Sequence, residues 1–172
     1  MTAVAADLTT MVAGRQLEDN AQISLRFDNG ARGALWACMV AAGEQVGLRI
    51  RVYGERGHIA WDQSEPDRMR LALQGEQART ILRGGSGLSA AAKRAGRLVP
   101  GLPEGYHEAF ATLYRDYADM LTARRAGAAP DPLALLAPTV EDGVRGMEFV
   151  EAALHSGAHG GAWTALSENE PG

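Results

Sequence analysis

Residues 21–30 restrict the fold more than any other stretch, because a period-two alternation there runs directly into a tight turn. Ile23, Leu25 and Phe27 alternate with polar residues, as in a strand that buries one face. The turn is Asp28-Asn29-Gly30, and Asn and Gly tolerate the positive φ angles that short hairpin loops require. A parallel connection would need about a dozen residues or more. The sequence therefore predicts an antiparallel hairpin here.

The same signals continue along the first half of the chain. Alternating or β-branched runs, separated by glycine-containing turns, predict strands over residues 3–12, 21–27, 32–42, 48–53, 58–61, 69–73 and 78–82. A connector punctuated by glycine and proline follows at 84–103. Apolar residues at helical spacing then predict helices over 106–125 and 139–155, and a short edge strand is expected near 162–166.

Strands followed by helices indicate the α+β class. We predict an open, mostly antiparallel (mixed) β-sheet with two main helices packed on one face. A chain of 172 residues is the size of one domain, so we expect a single domain over residues 1–166 and a disordered tail at 167–172. The other sheet face is expected to be solvated or buried by a partner, with Trp36, Met39, Val40 and Trp61 as candidates for it.

Composition excludes several classes of protein. The net charge of −4 without a basic cluster argues against a nucleic-acid partner. No run approaches the roughly 18 apolar residues of a membrane helix, and no signal peptide is visible, so we expect no membrane partner and a cytoplasmic location. Cys38 is the only cysteine, which excludes an intramolecular disulfide or a cysteine-rich zinc site.

A glycine-rich loop at Gly85–Ala90 matches the pattern G-x-G-x-x-A. A dinucleotide site would need this loop inside a βαβ unit with a second parallel strand. Pro100 and Pro103 intervene before the next long helix, so two interpretations stand. The loop is either a phosphate site or a flexible glycine connector, and the second is favoured.

Two sets of histidine and carboxylate residues have the spacing of metal ligands. Glu151, His155 and His159 recur every four residues, which suggests a small metal hydrolase if one helix carries all three. The glycines after His155 favour instead a histidine stabilised at a helix C-terminus. Glu104 and His107 are three residues apart but lack an evident third ligand. We therefore predict no metal site.

Residues 103–110, Pro-Glu-Gly-Tyr-His-Glu-Ala-Phe, place polar and aromatic groups at a helix start. Backbone N–H groups beside Tyr106 and His107 could bind a polyhydroxylated or anionic ligand. An ordinary helix cap with an aromatic staple explains the same residues equally well.

The chain resembles the C-terminal domain of the Gfo/Idh/MocA family of NAD(P)-dependent sugar and polyol oxidoreductases. The matching segments cover nearly the whole chain in order: Gly14-Arg15, 17–21 (LEDNA), 27–33 (FDNGARG), 52–57 (VYGERG), 61–63 (WDQ), 103–110 (PEGYHEAF), 142–147 (DGVRGM) and Trp163. Each segment is modest by itself, whereas the ordered set is fairly specific. Two departures are Cys38-Met39, where many relatives have Ser-Gln, and Leu102, where many have His.

The resemblance implies a substrate-binding and oligomerisation domain that lines a sugar or polyol cleft, with a homo-oligomer formed through the open sheet face. Contacts to the sugar are expected from Arg15, Trp61, Gln63, Tyr106 and His107. NAD or NADP is implied for a complete family member, but the Rossmann domain and the catalytic lysine precede this region in relatives, and Lys93 matches no catalytic position. We therefore expect no catalytic residue, no cofactor and no activity in this chain alone.

Two functions remain open. The chain is a fragment or partner of such an oxidoreductase, with the missing half supplied by a separate Rossmann-domain chain or by a longer protein. Alternatively, it is a stand-alone binding or interaction protein that dimerises through its sheet. A large uncovered apolar sheet face would favour the second function, since exposed apolar patches mark association.

Overall fold

The computed structural model describes residues 1–166. The tail predicted at 167–172 lies outside the described residues. The chain divides into two compact units, one made of residues 1–44 together with the chain after residue 137, and the other made of residues 45–137.

The elements of the described chain follow one another in the order strands, helices, strand. They are β1 (Ala3–Thr9), β2 (Asn20–Arg26), β3 (Arg32–Cys38), β4 (Arg49–Gly54), β5 (Gly57–Asp62), β6 (Arg68–Leu73), β7 (Arg79–Leu82), α1 (Ala90–Ala95), α2 (Tyr106–Arg125), α3 (Val140–Ala158) and β8 (Thr164–Ala165). A 3-10 turn at Ala134–Leu136 precedes α3.

The first unit is a four-stranded antiparallel sheet in the order β3-β2-β1-β8, with α3 packed on β1. Register puts Ala6, Ile23 and Leu35 in one row across the sheet. The face under the helix forms the core of small and branched side chains: Val4, Ala6, Ile23, Ala152 and Ala153. A Cβ on Gly157 would lie only 2.9 Å from the Leu8 side chain, so glycine there permits the close approach of α3.

Ser156 supplies the polar contacts inside this core. Its side chain is fully buried, its Oγ accepts a hydrogen bond from Ala6 N at 2.9 Å, and its hydroxyl donates to the carbonyl of Ala162 at 2.6 Å. The short strand β8 pairs only with Ala3 and Val4, so it cannot serve the Ala6 amide. Ser156 satisfies that amide instead and links α3, β1 and the chain that leads into β8.

The second unit contains the sheet β4-β5-β6-β7, an antiparallel meander. Ile50, Trp61, Met69 and Ile81 form one row across it, on what we call the apolar face. The adjacent row is Arg51, Ala60, Arg70 and Thr80, on what we call the arginine face. Successive residues of a strand point to opposite sides, so the two rows lie on opposite faces.

Ion pairs join α1 to α2 in the second unit. The Arg94 guanidinium lies 2.7 Å from Asp119, 2.9 Å from Asp116 and 2.9 Å from Asp131. Hydrogen bonding to Asp119, then to Asp116, raises the pKa of Arg94 above its usual range. The predicted connector at 84–103 thus contains a helix that is tied to α2.

The predicted α+β class with open antiparallel sheets is confirmed, and α2 begins and ends at the predicted residues. The strands form two four-stranded sheets, because no ladder pairs β3 with β4.

Trp36 lies on the face of the first sheet opposite the core. It is 63% exposed, and its indole N–H donates to Asn20 Oδ1 at 2.8 Å. Met39 is 81% exposed, and Trp61 belongs to the apolar face of the second sheet.

Replacing Ser156 by Ala should destabilise the protein, because the buried amide of Ala6 and the carbonyl of Ala162 both lose their partner. The expected loss is about 1–3 kcal/mol in the free energy of unfolding, measured by urea denaturation. Ser24→Ala is the matched control, since Ser24 is exposed on the opposite face of β2. Equal midpoints for the two variants would contradict the role assigned to Ser156.

Candidate functional site

The start of α2 presents two of the predicted substrate-binding side chains to solvent. Gly105 caps the helix, and its N–H donates to Glu108 Oε2 at 2.8 Å. This hydrogen bond is the largest reason that the pKa of Glu108 lies below its ordinary value. Glu108 thus caps the first turn of the helix. The side chains of Tyr106 and His107 are exposed, that of Tyr106 by 63%.

Aromatic contacts hold the Tyr106 ring in place. Its centroid lies 4.9 Å from that of Phe110 and 5.9 Å from that of His107, the latter edge-on. Tyr and His each offer a hydrogen-bond donor or acceptor next to an apolar ring. This is chemistry that suits a polyol, whose hydroxyl groups and C–H surface need both kinds of contact.

Arg83, at the end of β7, anchors the chain that leads into this helix. Its Nε lies 2.5 Å from Asp67 Oδ1, and its other nitrogens donate to the carbonyls of Leu98 at 2.8 Å and Leu102 at 2.5 Å. The Arg83 hydrogen bond is the main cause that lowers the pKa of Asp67. One guanidinium thus fastens the loop before α2 to the loop between β5 and β6.

Glu104 is part of the same anchor. It is 6% exposed, accepts hydrogen bonds from the backbone amides of Arg97 and Leu98, and lies 3.4 Å from the Arg83 guanidinium. His107, in contrast, is exposed. The spacing of Glu104 and His107 therefore does not produce a pair of metal ligands, because the carboxylate already neutralises a buried arginine.

Trp61 and Gln63 lie at the end of β5, next to this helix start. The Trp61 indole N–H donates to the carbonyl of Pro66 at 3.1 Å. Pro66 in turn lies against Gly105, where a Cβ would be 3.4 Å from its ring. The backbone N–H of Gln63 donates to the carbonyl of Leu48 at 2.9 Å. Four of the five predicted substrate residues are therefore carried by two adjoining segments of the second unit.

Arg15, the fifth predicted residue, belongs to the first unit. Its guanidinium lies 3.2 Å from Asp19, whose carboxylate also accepts from the amides of Met11 at 2.8 Å and Val12 at 3.1 Å. These contacts, the Met11 amide first, lower the pKa of Asp19. Arg15 thus helps to hold the loop between β1 and β2, and its side chain stays 44% exposed.

The glycine-rich loop does not have the surroundings of a nucleotide site. Ser89 caps α1, and its Oγ accepts from Ala92 N at 3.2 Å, but that helix has six residues. The strand pairs within residues 1–166 are antiparallel, whereas a dinucleotide fingerprint requires a parallel βαβ unit. Residues 85–90 therefore lack the βαβ surroundings of a dinucleotide fingerprint.

His155 and His159 stack on each other at the end of α3. Their ring centroids are 4.1 Å apart, His155 Nδ1 lies 3.3 Å from Thr164 Oγ1, and His159 Nδ1 donates to the carbonyl of His155 at 2.7 Å. Within residues 1–166, no three His, Cys, Asp or Glu side chains are grouped closely enough to hold a metal. The metal hydrolase hypothesis therefore lacks a ligand set.

The sequence interpretation missed the anchor made by Arg83, Asp67 and Glu104. These residues are 16 or more positions apart, and no local pattern marks them as partners. One signal in the sequence could have indicated it: Glu104 is a carboxylate within the motif at 103–110, whose other polar groups were predicted to be exposed.

The fold and the site together define an α+β domain with an exposed, anchored aromatic helix start. The profile of a family described as "Oxidoreductase family, C-terminal alpha/beta domain" (GFO_IDH_MocA_C) matches residues 1–166. The uncharacterized oxidoreductase YfiI of Bacillus subtilis is 31% identical over 147 residues, which are 86% of this chain and 37% of that protein.

Solved structures agree with this match. An oxidoreductase from Sinorhizobium meliloti superposes with a TM-score of 0.88 at 42% identity, over 94% of this chain and 45% of that one. An inositol dehydrogenase homolog from Azotobacter vinelandii, complexed with NADH and myo-inositol, gives 0.85 at 30% identity, over 95% and 44%.

This chain belongs to the Gfo/Idh/MocA oxidoreductase family and corresponds to its C-terminal domain. It spans less than half of the length of these relatives. None of the helices described within residues 1–166 has the length and hydropathy to cross a bilayer.

Replacing Arg83 by Gln should loosen the loop before α2, because Asp67 and the buried Glu104 lose their cation. Breaking a largely buried pair costs about 3–5 kcal/mol, and the partial exposure of Asp67 places the expected loss near the lower limit. Amide hydrogen exchange of residues 98–108 should accelerate, whereas Arg79→Gln, an exposed arginine of the same strand, should leave it unchanged. Unaltered exchange in the Arg83 variant would refute the anchor.

Proposed function

We propose that residues 1–166 act as one domain, the substrate-binding and oligomerisation domain of a sugar or polyol oxidoreductase. The observation that carries this proposal is the start of α2, where Tyr106 and His107 are exposed on a segment that Arg83 and Glu104 hold in place. An anchored site loses little conformational freedom when a ligand binds, which improves affinity.

In this proposal, aromatic rings stack on the sugar and polar groups bond its hydroxyls. Tyr106, His107 and Trp61 supply the rings, and Gln63 supplies a further donor. The relative from Azotobacter vinelandii, complexed with NADH and myo-inositol, supports a polyol as the ligand class.

The nucleotide is held elsewhere. NAD or NADP binds to a Rossmann domain in a longer protein or in a separate chain, and hydride transfer takes place in the cleft that the two halves form. This chain contributes substrate contacts and no catalytic residue. The antiparallel sheets and the six-residue α1 support this division, because they do not fit a dinucleotide.

The open face of the first sheet is the proposed homo-oligomer interface. Trp36 is 63% exposed on this face, and the Arg26 guanidinium lies 3.7 Å from the centroid of the Trp163 ring. Trp and Arg are enriched among the residues that dominate interface energies. This exposed face also supports the second candidate function, a stand-alone protein that dimerises through its sheet.

Polyol binding tests the substrate site directly. The purified chain should bind myo-inositol at millimolar concentrations by saturation-transfer NMR, and Tyr106→Ala should weaken binding about tenfold, since the loss of one stacking and hydrogen-bonding group costs roughly 1.4 kcal/mol. Tyr114→Ala, a 73% exposed tyrosine of the same helix, is the matched control and should bind as the unmodified chain does. Equal effects of the two substitutions would reject the site.

The solution mass separates the candidate functions. Light scattering should show an assembly of two or more chains, and Trp36→Ala should raise its dissociation constant at least tenfold, whereas Leu17→Ala, 75% exposed in a loop, should not. Calorimetry with NAD and NADP on the same sample should show no binding. A monomer would refute the proposed interface. Tight nucleotide binding would refute the proposal that NAD or NADP binds to a domain outside this chain. An oligomer that binds no polyol would favour the stand-alone interaction protein.

A further inference from the structure

The arginine face of the second sheet concentrates positive charge in an otherwise acidic protein. Arg49 and Arg51 lie on β4, and Arg68 and Arg70 lie on β6. All four line one depression of about 240 Å³, together with Ala60, Trp61, Asp62, Glu65 and Thr80. The chain as a whole has a net charge of −4, so this local excess of cations is a property of one surface.

Register places two of these arginines on either side of a gap. Arg51 pairs with Ala60, and Ala60 pairs with Arg70, so the three residues form one row. The Cα atoms of Arg51 and Arg70 are two strands apart, about 10 Å. Between them in this row stands Ala60, whose side chain is a single methyl group.

The other two arginines already have carboxylate partners. Arg49 Nε lies 2.9 Å from Asp62, and Arg68 lies 3.9 Å from Glu65. In the described part of the chain, Arg51 and Arg70 make no side-chain hydrogen bond or ion pair. Asp62 and Glu65 thus pair with the other two arginines, and the exposed guanidinium groups of Arg51 and Arg70 share the depression without a carboxylate partner of their own. An anion between them would stabilise this arrangement.

The geometry favours a phosphate group over a carboxylate as this anion. A guanidinium presents its N–H groups as a planar fork, and one fork uses both oxygens of a carboxylate. A phosphate ester has three terminal oxygens, enough for two forks and for the Thr80 hydroxyl, which follows Arg70 in the same row. A volume of about 240 Å³ accommodates a small phosphorylated molecule.

We propose that the arginine face binds the phosphate group of a small molecule between Arg51 and Arg70, with Thr80 as a further donor. Trp61 of the proposed polyol site also lines the depression, but its side chain belongs to the row on the opposite face of the sheet. The phosphate site uses other side chains, those of Arg51, Arg70 and Thr80, so it stands whether or not the polyol site is correct.

Calorimetry with inorganic phosphate at low ionic strength tests this site. The double variant Arg51→Gln/Arg70→Gln should bind phosphate at least tenfold more weakly than the unmodified chain. The matched control is Arg56→Gln/Arg79→Gln, which removes the same charge from the hairpin turn and from the opposite face. Circular dichroism establishes that both double variants are folded. Thr80→Val is a milder test, and it should weaken phosphate binding about threefold.

Acetate in place of phosphate determines the class of anion. Phosphate binding that depends on Arg51 and Arg70, with acetate at least tenfold weaker, supports the proposal. Equal affinity for acetate would overturn the choice of phosphate. Equal losses in the two double variants would show general attraction by surface charge, and no binding by the unmodified chain would overturn the site itself.

Discussion

The register of the antiparallel pairs decides which face every strand residue occupies, since a shift of one residue would exchange the two faces. In the first sheet, this register directs Val4, Ala6 and Ile23 toward α3 and leaves Trp36 on the uncovered side. In the second sheet, it separates the apolar row from the row that contains Arg51 and Arg70. The core and the proposed interface depend on the register of the first sheet, and the proposed phosphate site depends on the register of the second.

A second constraint acts on the start of α2. An exposed helix start is a site only if the chain before it is held, and here hydrogen bonds from Arg83 reach two carbonyls of that loop and the carboxylate of Asp67. Glu104 completes the anchor from within the same motif that exposes Tyr106 and His107. A buried charge is costly unless it is paired, and here Arg83 and Glu104 pair with each other while Tyr106 and His107 stay exposed.

Much apolar surface is exposed in the described part of this Gfo/Idh/MocA family domain. The chain corresponds to less than half of its relatives, and helix α3 carries exposed apolar residues such as Val144 and Met147 beside the face that covers the sheet. Surfaces of this kind are typical of domains that pack against another domain or another copy. The exposed apolar surface is consistent with the proposal that this chain contacts the substrate while another domain binds the nucleotide.

The sequence by itself determined the α+β class, the order of the strands and helices, and the bounds of α2, because alternation, turn residues and helical periodicity are local signals. It also indicated Tyr106, His107, Trp61 and Gln63 through a motif resemblance. Only the tertiary structure separated the strands into two sheets, paired Arg83 with Glu104, and placed Arg51 opposite Arg70. Those contacts join residues 16 or more positions apart, and nothing in a local pattern specifies which distant strand or charge becomes a neighbour.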